Sequence, residues 1–134
     1  MRIRNPYYFI AGILAVVFAV THAWNGQSVE LPKLEIESVT VETRIVFTYV
    51  WHIITVENLI FGVAFLLMSI VREPSKVYFA AWMILSNLLV RLLVILGVTI
   101  ILDGSAFGGA LLDSVAIIIY MGLILLGIKR RKTV

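Results

Sequence analysis

Residues 45–71 of the chain are IVFTYVWHIITVENLIFGVAFLLMSIV, and this stretch decides the fold class. Its one Asp, Glu, Lys or Arg residue is Glu57. A helix of about 20 apolar residues crosses the hydrocarbon core of a bilayer, so the stretch predicts a transmembrane helix. Three further stretches meet the same criterion, and they cover about residues 7–24, 77–102 and 107–128.

The composition of the whole chain agrees with a membrane protein. Of its 134 residues, 61% are hydrophobic and 14% are charged, and the mean hydropathy is +1.04. A soluble domain is usually about 45–50% apolar and about 25% charged, so the composition argues against that class and against disorder. The chain has no cysteine, which excludes disulfides, thiolate nucleophiles and thiolate metal sites. The net charge is +3. In a membrane protein such an excess of basic residues reflects their positions relative to the membrane, so it does not indicate a nucleic-acid partner.

The distribution of lysine and arginine predicts the direction of the spans. One side of the predicted membrane carries Arg2, Arg4, Arg72, Lys76, Lys129, Arg130, Arg131 and Lys132. The other side carries Lys33, Arg44, Glu30, Glu35, Glu37, Glu42 and Asp103. Basic residues stay on the cytoplasmic side, so both termini are predicted to be cytoplasmic. The sequence thus predicts an all-α integral protein of the plasma or inner membrane, a single polytopic domain over residues 1–134. It has four antiparallel helices in a bundle and a basic tail at 129–134.

The predicted outer loop, residues 25–44, has a pattern of its own. The segments LEIE at 34–37 and VTVE at 39–42 alternate apolar and polar residues. A period of two with β-branched residues is typical of a strand. The sequence therefore predicts a β-strand or small hairpin in this loop, with an irregular loop on the lipid surface as the alternative.

Ionisable residues inside the spans are the main functional signal, because a charge in hydrocarbon is costly. Glu57, Arg91 and Asp113 lie in three different spans, and counting about 1.5 Å per residue places them at similar depth in the outer half. The Arg91 guanidinium stays protonated and needs an anionic partner there. Asn87 lies one helical turn before Arg91, and His22 and His52 lie near the outer ends of the first two spans. We call the following six residues the predicted cluster: Glu57, Arg91, Asp113, Asn87, His52 and His22.

The predicted cluster favours a vestibule that binds or transports a small polar or amphipathic solute, or a proton. Because four helices form a narrow bundle, a transport path would need a homo-oligomer or a larger membrane complex. An alternative is a cofactor site. His22 and His52 could ligate a b-type haem, or could hold a divalent metal together with an acidic residue. The sequence identifies no particular cofactor, and no cofactor is the simpler expectation.

Two other functional classes stay open. In the first, Glu57 and Arg91 form a structural ion pair in an accessory or scaffolding subunit. In the second, the chain is a small membrane enzyme that acts on a lipid-like substrate. The length, the four spans and the Glu57-Asn58 pair resemble the microsomal glutathione-transferase type of membrane protein, but of the arginines expected around that pair only the distant Arg44 precedes it. We therefore assign neither that family nor any catalytic residue.

Overall fold

The computed structural model describes residues 2–36, 39–73 and 75–130, and for residues 35, 36, 106, 112 and 113 it describes the backbone alone. All regular secondary structure in these ranges is helical. In chain order the elements are α1 (Pro6–Asn25), a π-helical turn (Gly26–Glu30), α2 (Leu31–Ile36), α3 (Val41–Met68), α4 (Ser75–Leu102), a 3-10 turn (Gly104–Ala106) and α5 (Phe107–Lys129).

Four helical segments in the described ranges are long and apolar enough to cross a membrane, which confirms the four predicted spans as helices. They are Pro6–Leu34, Val41–Met68, Ser75–Leu102 and Phe107–Lys129. Helices suit this environment because their backbone groups pair within the segment. Many large apolar side chains on these helices are exposed, such as Phe79 at 75% and Ile101 at 82%. Such exposure is compatible with a surface that faces lipid.

The first and second spans begin earlier than the hydropathy predicts, because polar residues cap them. Asn5 precedes α1, and its Oδ1 accepts a hydrogen bond from the Tyr8 backbone N–H at 3.3 Å. Thr40 precedes α3, and its Oγ1 accepts from the Thr43 N–H at 3.3 Å. Such side chains satisfy backbone donors that the first turn of a helix leaves unpaired. α3 ends at Met68, three residues before the predicted boundary.

The predicted strand in the outer loop is wrong for the described residues. Leu34 and the backbone of Ile36 belong to α2, and Val41 begins α3, while residues 37 and 38 lie outside the described ranges. Helical residues run from Pro6 through Ile36, so most of the predicted loop 25–44 is helical. A lone hairpin is marginal in stability, whereas a helix pairs its backbone groups locally, and this explains the outcome. The Lys33–Glu30 ion pair at 3.1 Å adds a contact one turn apart.

The described chain divides into two compact units. The first unit contains the described residues up to Ala11 and those from Phe65 onward, and the second unit is Gly12–Ala64. In the first unit α4 packs against α5. Its interior includes Phe65, whose ring lies 5.4 Å from that of Tyr8 and 6.1 Å from that of Tyr120. The prediction of a single domain stays a prediction.

In the second unit, α1 and α3 approach closely at Gly62. A Cβ added there would lie 2.7 Å from Val16 Cγ2 and 3.1 Å from the Gly12 carbonyl oxygen. Small residues allow the backbones of membrane helices to approach in this way. Gly62 therefore fixes the spacing of these two helices in the second unit.

The turn between α4 and α5 is held by Asp103. Its Oδ1 accepts hydrogen bonds from the Ser105 hydroxyl at 2.6 Å and from the Ser105 backbone N–H at 2.9 Å. These bonds favour the ionised carboxylate and lower the pKa of Asp103 below its ordinary value.

Candidate ligand-binding groove

The residues of the predicted cluster are divided between the two units. The second unit holds His22, His52 and Glu57, and the first unit holds Asn87, Arg91 and Asp113. The side chain of Asp113 lies outside the described part of the structure. The joining of Glu57, Arg91 and Asp113 into one site therefore stays a prediction. The two histidines and Glu57 can be described together, because they lie in the same unit.

One face of α3 carries polar side chains at helical spacing. Arg44, Thr48 and His52 are four residues apart, and residues at this spacing lie on one face of a helix. Glu57, four residues after Ile53, lies further round the helix but lines the same groove. At about 1.5 Å per residue, Arg44 and Glu57 are about 20 Å apart along the axis. These polar positions thus extend from the beginning of α3 to the middle of the helix.

The same face of α3 forms one wall of a groove of about 1160 Å³. The opposite wall comes from Gln27 in the π-helical turn and from α2, where Leu31 and Leu34 contribute apolar side chains. On the α3 side the apolar part of the wall is formed by Ile53, Val56 and Ile60. A mostly apolar lining with a few polar groups is typical of small-molecule sites.

A hydrogen bond joins the two walls of the groove. His52 Nε2 lies 2.8 Å from Gln27 Nε2, and the amide nitrogen is the donor because it has no acceptor capacity. The Thr48 hydroxyl donates to the Arg44 carbonyl oxygen at 2.8 Å, which leaves the hydroxyl oxygen able to accept a further bond.

His22 lies against Trp51. The imidazole and indole rings are stacked with centroids 4.3 Å apart and an angle of 6° between the planes. Trp51 Nε1 donates to the His22 carbonyl oxygen at 2.9 Å. Gly26 is buried under the indole, and a Cβ added there would overlap Trp51. These contacts join α1, the π-helical turn and α3 beside the contact between Gln27 and His52.

The structure brings no metal-binding group together in its described part. No set of three or more histidine, aspartate and glutamate side chains there could hold a metal ion. The Nε2 atom of His52 already faces Gln27, so a metal on that atom would have to displace the amide. The metal or haem site predicted at His22 and His52 stays a prediction.

The groove includes three polar residues outside the predicted cluster. Arg44 and Gln27 lie in the predicted outer loop, and Thr48 lies in a predicted apolar span. The four-residue repeat of Arg44, Thr48 and His52 is the signal in the sequence that places these three on one helix face. The predicted boundary at residue 45 separates Arg44 from this repeat. Comparisons of the chain with protein-family models, curated proteins and solved structures found no match.

Proposed function

We propose that this chain is a small polytopic membrane protein that binds a small amphipathic solute in the groove along α3. The observation that carries the proposal is a mostly apolar groove lining that also presents a few polar side chains. Gln27, Thr48 and His52 supply hydrogen-bonding groups, and Ile53 and Val56 belong to the apolar part of the lining. A solute with a polar head and a short apolar body matches this lining.

The groove suggests how such a solute would be oriented. Its polar head would accept from Gln27 or donate to the Thr48 hydroxyl oxygen, with the Arg44 charge nearby at the mouth. Its apolar body would lie along Val56 and Ile60. Glu57 also lines the groove, so a hydroxyl or ammonium group part-way along the solute would find an acceptor there.

The charge distribution supports a topology for this proposal. Eight basic residues lie at the ends of the spans opposite to Arg44 and Gln27. These basic residues favour the cytoplasmic side of a plasma or inner membrane, so Arg44 and Gln27 would face outward. Movement of the solute or of a proton across the membrane would use the predicted cluster. It would require a homo-oligomer or a larger complex, because one copy has four spans.

Photo-crosslinking tests the proposal. The protein in mild detergent is irradiated with a medium-chain fatty acid that carries a diazirine on its chain, and the labelled peptides are mapped by mass spectrometry. We expect label on the groove face of α3, and competition by the same fatty acid without the diazirine. The matched variants are Val56→Trp, which fills the groove, and Val63→Trp, which places the same side chain on α3 at an exposed position outside it.

Loss of labelling in Val56→Trp but not in Val63→Trp is the expected result. Equal labelling of α3 and α4 in the native chain, or equal effects of both variants, would contradict the proposal. That outcome would favour the accessory-subunit alternative, in which this face of α3 meets only lipid or a partner. Circular dichroism and size-exclusion chromatography show whether each variant keeps its helices and its monodisperse state.

A further inference from the structure

A second pocket, of about 430 Å³, lies in the first unit where α1 begins and where α3 and α5 end. We call it the arginine pocket, because four of its lining residues are Arg2, Arg4, Arg72 and Arg130. None of the described residues that line it is acidic. The pocket therefore concentrates positive charge, with no carboxylate among the lining residues that the structure describes.

Backbone hydrogen bonds fix the segment that carries two of these arginines. The N–H groups of Arg4 and Asn5 both donate to the Ser69 carbonyl oxygen, at 2.8 and 3.0 Å. The Asn5 side chain donates from Nδ2 to the Gly127 carbonyl oxygen at 2.9 Å. Residues 2–5 are thus attached to the ends of α3 and α5, which carry Arg72 and Arg130 just beyond them. The arrangement is preorganised, because it does not depend on contacts between the arginine side chains.

The inner surface of the pocket is aromatic and apolar. Tyr8 is 3% exposed, and its ring occupies the space that a side chain at Gly127 would need. Met68, Val71 and Val77 add apolar residues to the lining that contains the four arginines. A free inorganic anion would gain nothing from such apolar residues, whereas the first methylene groups of a lipid's acyl chains would bury apolar surface against them.

We infer that the arginine pocket binds the phosphate group of an anionic phospholipid. Guanidinium groups match phosphate oxygens in a bidentate geometry. Basic pockets next to transmembrane helices on the cytoplasmic side are suited to lipid headgroups, and the positive-inside pattern places this pocket there. The volume suits a headgroup, and the acyl chains would continue into the bilayer along exposed apolar side chains such as Leu67.

A lipid titration with matched double variants tests the inference. The protein in mild detergent is titrated with phosphatidylglycerol or phosphatidylcholine, and lipid-bound species are counted by native mass spectrometry. R4Q/R72Q removes two charges from the pocket. K76Q/K129Q removes two charges from the same end of the helices without touching the lining, since Lys76 pairs with Glu73 at 3.0 Å and Lys129 does not line the pocket.

We expect R4Q/R72Q to bind phosphatidylglycerol about thirtyfold more weakly, which corresponds to about 1 kcal/mol for each basic residue. K76Q/K129Q should stay close to the native affinity, and phosphatidylcholine should bind weakly to all three proteins. If R4Q/R72Q fails to fold, the single variant R130Q serves instead, because its backbone takes no part in the Asn5 and Ser69 contacts.

Three results would overturn the inference. Equal weakening in both double variants would show a diffuse positive surface in place of a site. Equal affinity for the two lipids, which both carry a phosphate, would show that the net negative charge of the headgroup is not recognised. Competition by glycerol 3-phosphate at the concentrations where the lipid binds would point to a soluble phosphate ligand. The inference about the arginine pocket does not depend on the proposed groove along α3. We expect Val56→Trp, which fills the groove, to leave phosphatidylglycerol binding unchanged.

Discussion

Replacing Gly127 by alanine should destabilise the first unit through a contact with one ring. The added Cβ would overlap the edge of the Tyr8 ring, which is 3% exposed. This ring cannot move away easily, because Phe65 lies 5.4 Å from it and the Tyr8 backbone N–H is bonded to Asn5. The methyl group must therefore shift either α5 or the start of α1.

The magnitude follows from two opposing effects. Overpacking a dense interior costs about 1–3 kcal/mol, and exchanging glycine for alanine inside a helix gains about 0.5–1 kcal/mol. We expect Gly127→Ala to lower the free energy of unfolding by about 1–2 kcal/mol. Gly122 lies on the same helix, and a Cβ there would meet no atom within 4 Å outside the helix backbone. Gly122→Ala should therefore be neutral or stabilising by up to about 1 kcal/mol.

Titration with sodium dodecyl sulfate in mixed micelles, followed by circular dichroism and tryptophan fluorescence, compares the unfolding of the two variants with the native chain. Equal stability of Gly127→Ala and Gly122→Ala would refute the packing of Tyr8 on Gly127. A double variant adds a second criterion. Tyr8→Ala creates space for the methyl group of Gly127→Ala. The double variant should therefore be more stable, by about 0.5–3 kcal/mol, than the sum of the two single effects predicts.

Three further predictions concern the loop and the second unit. Hydrogen bonds from Ser105 lower the pKa of Asp103, so its carboxylate stabilises the folded state above the ordinary pKa of 3.8 and loses this contribution as the pH falls through the lowered value. An NMR titration should show a midpoint below 3.8 that rises part of the way back in Ser105→Ala. Gly62→Ala should lower the free energy of unfolding by about 1–2 kcal/mol in the same micelle titration, because its Cβ would meet α1. Trp51→Phe should lower the thermal unfolding midpoint, since losing the bond to the His22 carbonyl costs about 1 kcal/mol while an aromatic ring remains for stacking.

The spans could be predicted from the sequence because length and apolar content are local properties of each stretch. The stretch 45–71 predicts a helix wherever its neighbours lie, and α3 covers most of it. The ends were less predictable, since a cap such as Thr40 extends a helix into polar sequence. The alternation at 34–42 suggested a strand, but a strand needs a partner, and helical pairing within α2 needs none.

The two pockets could not be derived from the sequence, for different physical reasons. The groove depends on how α3 is rotated, and rotation is set by packing such as that of Gly62 on α1. The arginine pocket depends on contacts between distant parts of the chain, such as Asn5 with Gly127. The distribution of basic residues predicts that they share one side of a membrane, and it does not indicate that four of them line one cavity. The meeting of Glu57 with Arg91 stays a prediction.

The hydrogen bond from Asn5 to Gly127 joins residues 122 positions apart, and this separation has a consequence for biosynthesis. The ribosome makes residues 2–5 more than a hundred residues before Gly127. Until α5 has been made, the Asn5 side chain lacks its Gly127 acceptor and Tyr8 lacks its contact with that glycine. A chain interrupted before α5 would keep the backbone bonds of Arg4 and Asn5 to Ser69, but it would leave the Asn5 side-chain amide and part of the Tyr8 ring uncovered. Such uncovered groups are a feature by which quality-control proteases could distinguish incomplete chains from complete ones.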